Sequence, residues 1–448
     1  MELRLNYGEG MALAEFPDLS AKNIKGKSEH QVVELQTRHI ATLQKPAEII
    51  NQALDKPLGC YPFNQVFRGA RNVLIVTSAA AELSGAEHYL PLLCERLQRL
   101  HVPKEEIRIL AVKAAAAEEN KSALQSLPQP GAPVFYHEPR DHKALEYVGL
   151  TRRGTPIFVN RLLLEADHVI ICGSVSHHPF AGYEGGPRLI IPGCAGDETI
   201  RRYYAHAVDW ETPCVHPRCR NGVIEGNPLQ EDAREAFRFI TTNFLLHTIW
   251  NDRQQLIGAV AGEPLQAFAA GCRALDDMFQ VPVAQPTTLA IVGCGGFPTD
   301  RDFCMAHAAL HRAAPIVRSS GVIILVAECR NGLGSEVLRR WCDEIKMSES
   351  ASGEQKNDWL KSPAEQNWRH QLFHENETAA LVAFSTLQKT REIHVVLVSA
   401  LEPALVQRLG LIPARSLQEA LAIAEPWLPD IFSAVVIYNG ALAAPNLK

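Results

Sequence analysis

Residues 169–200 read VIICGSVSHHPFAGYEGGPRLIIPGCAGDETI, an apolar run from Val169 to Cys172 followed, four residues later, by a loop crowded with glycine and proline. Between His177 and Ile200 lie five glycines, three prolines and two adjacent histidines. A short β-branched run that ends in such a loop has the form of a strand in an open parallel sheet, whose ligands sit beyond the carboxyl ends of the strands. Gly185 and Gly186 allow close backbone approach or positive φ, and Arg188 offers a planar fork to a phosphate or carboxylate. On local grounds alone, a ligand loop and a plain turn both remain open.

Outward from this stretch, strand-like runs alternate with helical patterns. They are Asn72 to Thr77, Ile107 to Val112, Val134 to Tyr136, Thr155 to Val159, His168 to Cys172, Leu289 to Gly293, Val322 to Ala327, His394 to Ser399 and Ser433 to Tyr438. Val73-Leu74-Ile75-Val76 and Val322-Ile323-Ile324-Leu325-Val326 are apolar without alternation, as strands buried on both faces are. Leu90, Leu93, Cys94, Leu97 and Leu100 recur at helical spacing, as do Ala233, Ala236, Phe237 and Ile240. The expected class is α/β: two domains, each a mainly parallel sheet with helices on both faces, and a cleft between them. The polar segment around Gln280 to Pro286 is the expected boundary, giving domains 1–280 and 281–448, with the last strand able to return to the first. Lys346 to Asp358 reads as a surface loop.

The 448 residues suffice for two or three domains at roughly 100 to 200 residues each. A formal charge of -6 gives no general attraction to nucleic acid or an anionic membrane, so neither is expected as a partner. Eleven scattered cysteines suit free thiols in a reducing cytoplasm. Glu2, Arg4 and Glu9 interrupt the start, so no secretory signal is expected, and no apolar run approaches the ~20 residues of a spanning helix.

The His177 to Ile200 string resembles the signature of the nickel-dependent lactate racemase family: a histidine, a Phe-Ala-Gly, a Gly-Gly, a lysine, a Pro-Gly, and a Thr-Ile followed by a further histidine. The likeness continues in Leu5-Asn6-Tyr7-Gly8, in Gly149 to Asn160 (GLTRRGTPIFVN) and in Glu225-Gly226-Asn227-Pro228. It extends to Gly295-Gly296-Phe297-Pro298-Thr299-Asp300 and to Glu328 through Gly334. The resemblance implies an isomerase of 2-hydroxy acids with a nickel-pincer nucleotide, a pyridinium-derived cofactor, and histidines that handle the hydroxyl proton. It also implies cofactor-synthesis enzymes as partners.

Carried over one residue at a time, the resemblance keeps a catalytic histidine at His178 and departs elsewhere. Arg188 stands at the cofactor-tethering lysine and Tyr204 at the nickel-binding histidine. Ala115 stands at the second acid/base histidine, and Ala79, Ala80, Ala81 and Glu82 fall at the substrate-binding Asp-x-Thr-Arg. Met305 and Ala308 fall at a Gln and a Lys of the second domain. Guanidinium is a poor nucleophile for a covalent link yet can hold a phosphate by two parallel bonds, so any such nucleotide is expected to be non-covalent. A phenol of pKa about 10 binds nickel less well than imidazole. His206, two residues beyond Tyr204, is the candidate substitute ligand. Glu82 in place of a cation turns roughly 4 kcal/mol of attraction for a carboxylate at about 4 Å into repulsion at an effective dielectric near 20. An alanine at position 115 exchanges no proton, and losing one acid/base typically costs about 10²- to 10⁴-fold.

What remains is His178, with Gly185, Gly186, Arg188 and Tyr204 as cofactor-side residues and Glu82 and Tyr183 as substrate-side residues. The leading reading is a divergent relative that binds a nucleotide or hydroxylated small molecule, with altered or absent chemistry. An active racemase or epimerase using His206, Arg201 and Arg202, and a scaffold without cleft chemistry, are the alternatives. Cys214, His216 and Cys219 form a short zinc-like spacing without a clear second pair, and inert loop thiols are the preferred reading. Cys194 is a possible reactive thiol with no base partner that the sequence names. His137 and His142 read as solvent-facing.

Overall fold

The computed structural model describes residues 2–16, 31–35, 37–79, 84–112, 127–128, 131–209, 211–212, 214–341, 343 and 378–447. The chain forms two compact units, one of residues 38–207 and 217–278, the other of 1–37, 208–216 and 279–448.

In the first unit the strands run Leu256–Gly262, Phe244–Trp250, His168–Ser174, Val73–Ser78, Ile107–Val112, Val134–Tyr136 across the sheet. All neighbours are parallel except the outermost pair, Phe244–Trp250 with Leu256–Gly262. The continuous apolar runs explain the layering. Val73, Ile75, Ile107, Ile109, Ile170 and Phe244 face one core, built with the helices Pro46–Asp55 and Ala86–Arg99. Their neighbours Leu74, Val76, Leu110, Val169, Ile171 and Leu245 are equally buried on the opposite side. Strand order reverses between Val73–Ser78 and His168–Ser174, the topological position where open α/β sheets leave a crevice beyond the strand ends.

The second unit holds a six-stranded sheet, all parallel, in the order Ile412–Ala414, His394–Val398, Val317–Val326, Thr287–Gly293, Ser433–Ile437, Gln31–Leu35. Leu417, Ala420 and Ala424 of the helix Leu417–Ala424 pack on one face together with Leu3, Leu5 and Ala14 of an antiparallel hairpin. The helices Phe303–Ala313 and Thr378–Glu392 pack against strands of the same sheet.

The grouping of the chain differs from the expected 1–280 and 281–448. Gln31–Leu35 pairs with Ser433–Ile437, which carries the N-terminal stretch into the second unit. The last strand, Ala444–Leu447, pairs with Gln280–Val283 and stays there, so the chain exchange is made by the first residues. Pro156–Asn160 also departs from the expected parallel pattern, since it pairs antiparallel with Leu145–Leu150 in a separate ribbon. Lys346 to Asp358 lies outside the described residues. Among the described residues, no helix is long and apolar enough to cross a membrane.

Candidate functional site

The strand His168–Ser174 runs into a tight hairpin in which Ser176–His178 pairs with Gly182–Glu184, His178 lying opposite Gly182. Phe180 and Ala181 form its bend, and their amides donate to His178 Nδ1 at 3.1 and 2.8 Å. Asn227, from the Gly-Asn-Pro turn, donates to Phe180 O at 2.9 Å and caps its own helix by accepting from Leu229 N–H. A short polar residue before a helix-starting proline suits both duties.

His177 and Tyr183 anchor the hairpin from its other side. His177 Nε2 lies 3.0 Å from Asp276 Oδ1, and Tyr183 donates its hydroxyl to Asp276 Oδ2 at 2.6 Å. Their rings pack with centroids 5.3 Å apart. Tyr183 is buried, and burial, then Asp276, pushes its phenol above the ordinary range. Its ring is thus a packing element, and the two histidines take separate partners.

Gly185 and Gly186 are glycines for steric reasons that the structure makes explicit. Gly185 has φ +96° and a Cβ there would lie 2.8 Å from His247 Nε2, while Gly186 has φ +57° and a Cβ would lie 2.6 Å from the Phe268 ring. The Gly186 amide donates to His247 Nε2 at 2.7 Å, and His247 Nδ1 is 2.9 Å from Leu246 O. The turn is pressed against a fully buried imidazole, and desolvation lowers the His247 pKa to about 4.

Arg188 is buried. Its Nε donates to Glu184 Oε2 at 3.0 Å, its Nη1 to the Tyr203 hydroxyl, and the guanidinium lies 5.6 Å from the Tyr203 ring centroid. Burial, the largest influence, pulls this guanidinium down, but Glu184, Tyr203 and Tyr204 together outweigh it and leave it above its ordinary value. Tyr204 is buried edge-on against Tyr203, ring centroids 5.0 Å apart.

His206 belongs to a second network. The buried Asp232 accepts from the Thr151 and Thr155 hydroxyls at 2.6 and 2.8 Å, and Thr155 Oγ1 lies 2.8 Å from His206 Nε2. Because the Thr155 proton is directed to Asp232, its oxygen accepts from His206 Nε2–H. Desolvation lowers the His206 pKa, with Asp232 opposing.

The structure therefore brings His178, Tyr183, Gly185, Gly186 and Arg188 together on one hairpin and turn, with Tyr204 joined through Tyr203. Glu82 and Ala115 lie outside the described residues. Met305 and Ala308 lie on the helix Phe303–Ala313 of the other unit. His137 is not solvent-facing as expected: its Nε2 is 2.8 Å from Ala195 O and its Nδ1 3.2 Å from Asn160 Nδ2, both in the interior. Cys194 is buried with its thiol on Leu189 O, and burial raises its pKa. Cys219 is buried against Asn227, and Cys214 is partly buried. Among the described residues, no group of three or more His, Cys, Asp and Glu side chains could hold a metal ion. Sequence reading missed Glu184, Asp232, His247 and Asp276. The Glu184 to Arg188 spacing of four was the one local signal.

These features define a two-unit α/β protein whose first unit carries a histidine hairpin and a glycine turn beyond the end of a central strand. The chain belongs to the lactate racemase family: the family's models for the lactate racemase N-terminal and C-terminal domains match residues 19–213 and 283–443. It is similar to the lactate racemase of Thermoanaerobacterium thermosaccharolyticum, 24% identical over 427 residues and 94% of each chain. The lactate racemase of Lactiplantibacillus plantarum is 26% identical over 293 residues, 64% of this chain and 68% of that one. The solved lactate racemase apoprotein from T. thermosaccharolyticum shares the fold across 100% of both chains, with a TM-score of 0.81 at 22% identity. A Thermotoga maritima protein of solved structure matches with a TM-score of 0.61 at 18% identity, over 90% of this chain and 98% of that one.

Proposed function

We propose that this chain is a divergent family member whose glycine-lined site binds a nucleotide or hydroxylated small molecule, and that it does not run the family's tethered nickel chemistry. The observation that carries this reading is the state of Arg188. At the position where the resemblance puts a tethering lysine stands a buried guanidinium bonded to Glu184 and Tyr203. It is cationic at any working pH and has no lone pair to offer a covalent link.

The neighbouring residues do not fit a nickel-pincer nucleotide either. Tyr204 offers a buried phenol, and His206 donates from Nε2 to Thr155, so that nitrogen is not a ligand as it stands.

Metal content with turnover tests the proposal. The protein is produced beside the enzymes that make the nickel-pincer nucleotide, then assayed for nickel and for lactate interconversion. Nickel far below one per chain and no interconversion are expected. Nickel near one equivalent with ordinary racemase turnover overturns the reading and favours the active isomerase. Native mass spectrometry of the same sample separates a binder, which retains a small molecule, from a scaffold, which does not.

A further inference from the structure

We infer that the second unit carries a seat of its own for a small primary amine, whose ammonium is held by Asp300 and Asn439 at the Gly295–Gly296 turn. This seat does not depend on what the first unit binds.

The fold supplies the place. From Thr287–Gly293 the chain builds outward through Val317–Val326, His394–Val398 and Ile412–Ala414, then returns with Ser433–Ile437 to the opposite side of Thr287–Gly293. Strand order therefore reverses between Thr287–Gly293 and Ser433–Ile437, and open parallel sheets take ligands beyond the carboxyl ends at such a point. Gly295 and Gly296 follow the first of these strands and Asn439 the second, with Cys294 bridged to Asn439. Both glycines have positive φ. A Cβ on Gly295 would lie 2.7 Å from Asn439 Oδ1, and one on Gly296 would lie 2.9 Å from Gly8 O.

Charge narrows the occupant. Glu328 pairs with Arg330 at 2.7 Å and Asp302 with Arg301 at 3.0 Å. Asp300 is fully buried, yet no basic side chain among the described residues pairs with it. Its Oδ2 accepts from Gly8 N–H at 2.7 Å and from Glu328 N–H at 3.2 Å, whereas its Oδ1 has no hydrogen-bond partner. Asn439 Oδ1 is likewise buried and unpartnered. Burying a carboxylate is costly unless a counter-charge stands beside it. An ordered water satisfies an oxygen but brings no charge.

A primary ammonium supplies both, with one positive charge and three N–H donors. The acceptors are Asp300 Oδ1, Asn439 Oδ1 and the hydroxyl of Tyr7, which makes no hydrogen bond among the described residues and precedes the Gly8 amide on Asp300. Burial, then Glu328, pushes the Tyr7 phenol up to about 12, so its oxygen stays neutral. A polyvalent metal finds too few ligands, since no group of three His, Cys, Asp or Glu side chains among the described residues could hold one. An anion would meet Asp300 and Glu328.

Backbone ¹H–¹⁵N spectra of the whole protein, titrated with methylammonium, tetramethylammonium and potassium chlorides, test this. Tetramethylammonium carries the charge without an N–H, and potassium carries it without hydrogen bonds. Methylammonium should shift the Gly8 and Glu328 amides, which share Asp300, with a midpoint of roughly 10 mM, as two heavy atoms allow. The other two cations should bind at least about tenfold more weakly. Asp300→Asn keeps an acceptor for those amides but removes the charge, and should abolish the response. Asn439→Ala removes one acceptor at a half-buried position, where folding is not at stake, and should weaken methylammonium about threefold to tenfold. Silent Gly8 and Glu328 amides, equal binding of tetramethylammonium or potassium, or an undiminished response in either variant would each overturn the inference.

Discussion

The two units handle buried polar groups in opposite ways. Around the glycine turn of the first, charges are matched: Arg188 lies against Glu184, and Asp276 gathers His177 and Tyr183. In the second, the helices Phe303–Ala313 and Thr378–Glu392 bring bases together. Lys389 Nζ lies 2.8 Å from His311 Nδ1 and 3.3 Å from Ser385 O, His311 Nδ1 is 3.0 Å from Ser385 Oγ, and Arg312 donates to Gly440 O and Ala441 O. Burial pushes the Lys389 pKa down to about 7 and that of Arg312 to about 10, and it lowers His307 well below its ordinary value. Burial disfavours charge unless a counter-charge stands beside it. The first unit therefore keeps fixed, paired charges, whereas the second holds Lys389 near neutrality as part of its packing.

The largest expected effect lies in the second unit. The Lys389 pKa falls from 10.5 in the free amine to about 7, so between those values the unfolded chain holds a proton that the folded one has released. Stability is therefore complete above pH 10.5 and declines as pH falls to about 7. At about 1.4 kcal/mol per pH unit the window holds about 5 kcal/mol. Urea unfolding at pH 7 and pH 10, wild type against Lys389→Met, measures it. Wild type should gain several kcal/mol relative to the variant at the higher pH, and parallel curves would mean that Lys389 is not held neutral and that the contrast between the units is false.

Glu184→Ala attacks the same contrast from the other side, with an expected loss of about 3 to 4 kcal/mol, because it strands a guanidinium that is 2% exposed. Arg188→Met removes the charge while filling the volume, and should change stability by less than about 1.5 kcal/mol if packing is kept. Equal losses in the two variants would show that loss of the pair itself, and not a stranded guanidinium, sets the cost at this turn. Thermal unfolding read against denaturant curves distinguishes the two outcomes.

What the sequence made legible follows the same division. Val73–Ser78 and the Val322–Val326 half of Val317–Val326 were readable because strands covered on both faces need no alternation and leave unbroken apolar runs, whereas the polar, exposed Arg318-Ser319-Ser320 start of the second strand was not read. Phe244–Trp250 was not read as a strand. It carries His247 and Thr248 at its centre, and both find partners only after folding: Gly186 N–H for the first, Ser84 O for the second. Asp276 lies 93 residues from the Tyr183 hydroxyl it accepts from, and nothing in its own helix marks it. His137 sits among polar neighbours in sequence, yet its ring is satisfied by Ala195 O and Asn160 from distant segments. Patterns report which faces are apolar; long-range polar pairing leaves no periodicity.

His247 offers the smallest of the three effects and the one that joins the two treatments, since it is a neutral buried base inside the charge-matched unit. Its Nε2 accepts from Gly186 N–H, so protonation would set two N–H groups against each other in a dry interior. The folded-state pKa is about 4 against 6.5 when free, so its contribution is intact above pH 6.5 and is lost as pH falls through about 4. That window is worth about 3 kcal/mol. His247→Gln keeps an acceptor for Gly186 but does not titrate, so wild type should lose about 3 kcal/mol more than the variant between pH 7 and pH 4. Hydrogen exchange locates the loss: Gly186 N–H, protected at neutral pH by the imidazole, should open early as the acid side is approached. An acid slope shared by both proteins would release His247 from this role and place the sensitivity elsewhere in the unit, with His206, whose pKa burial also lowers, the next group to examine.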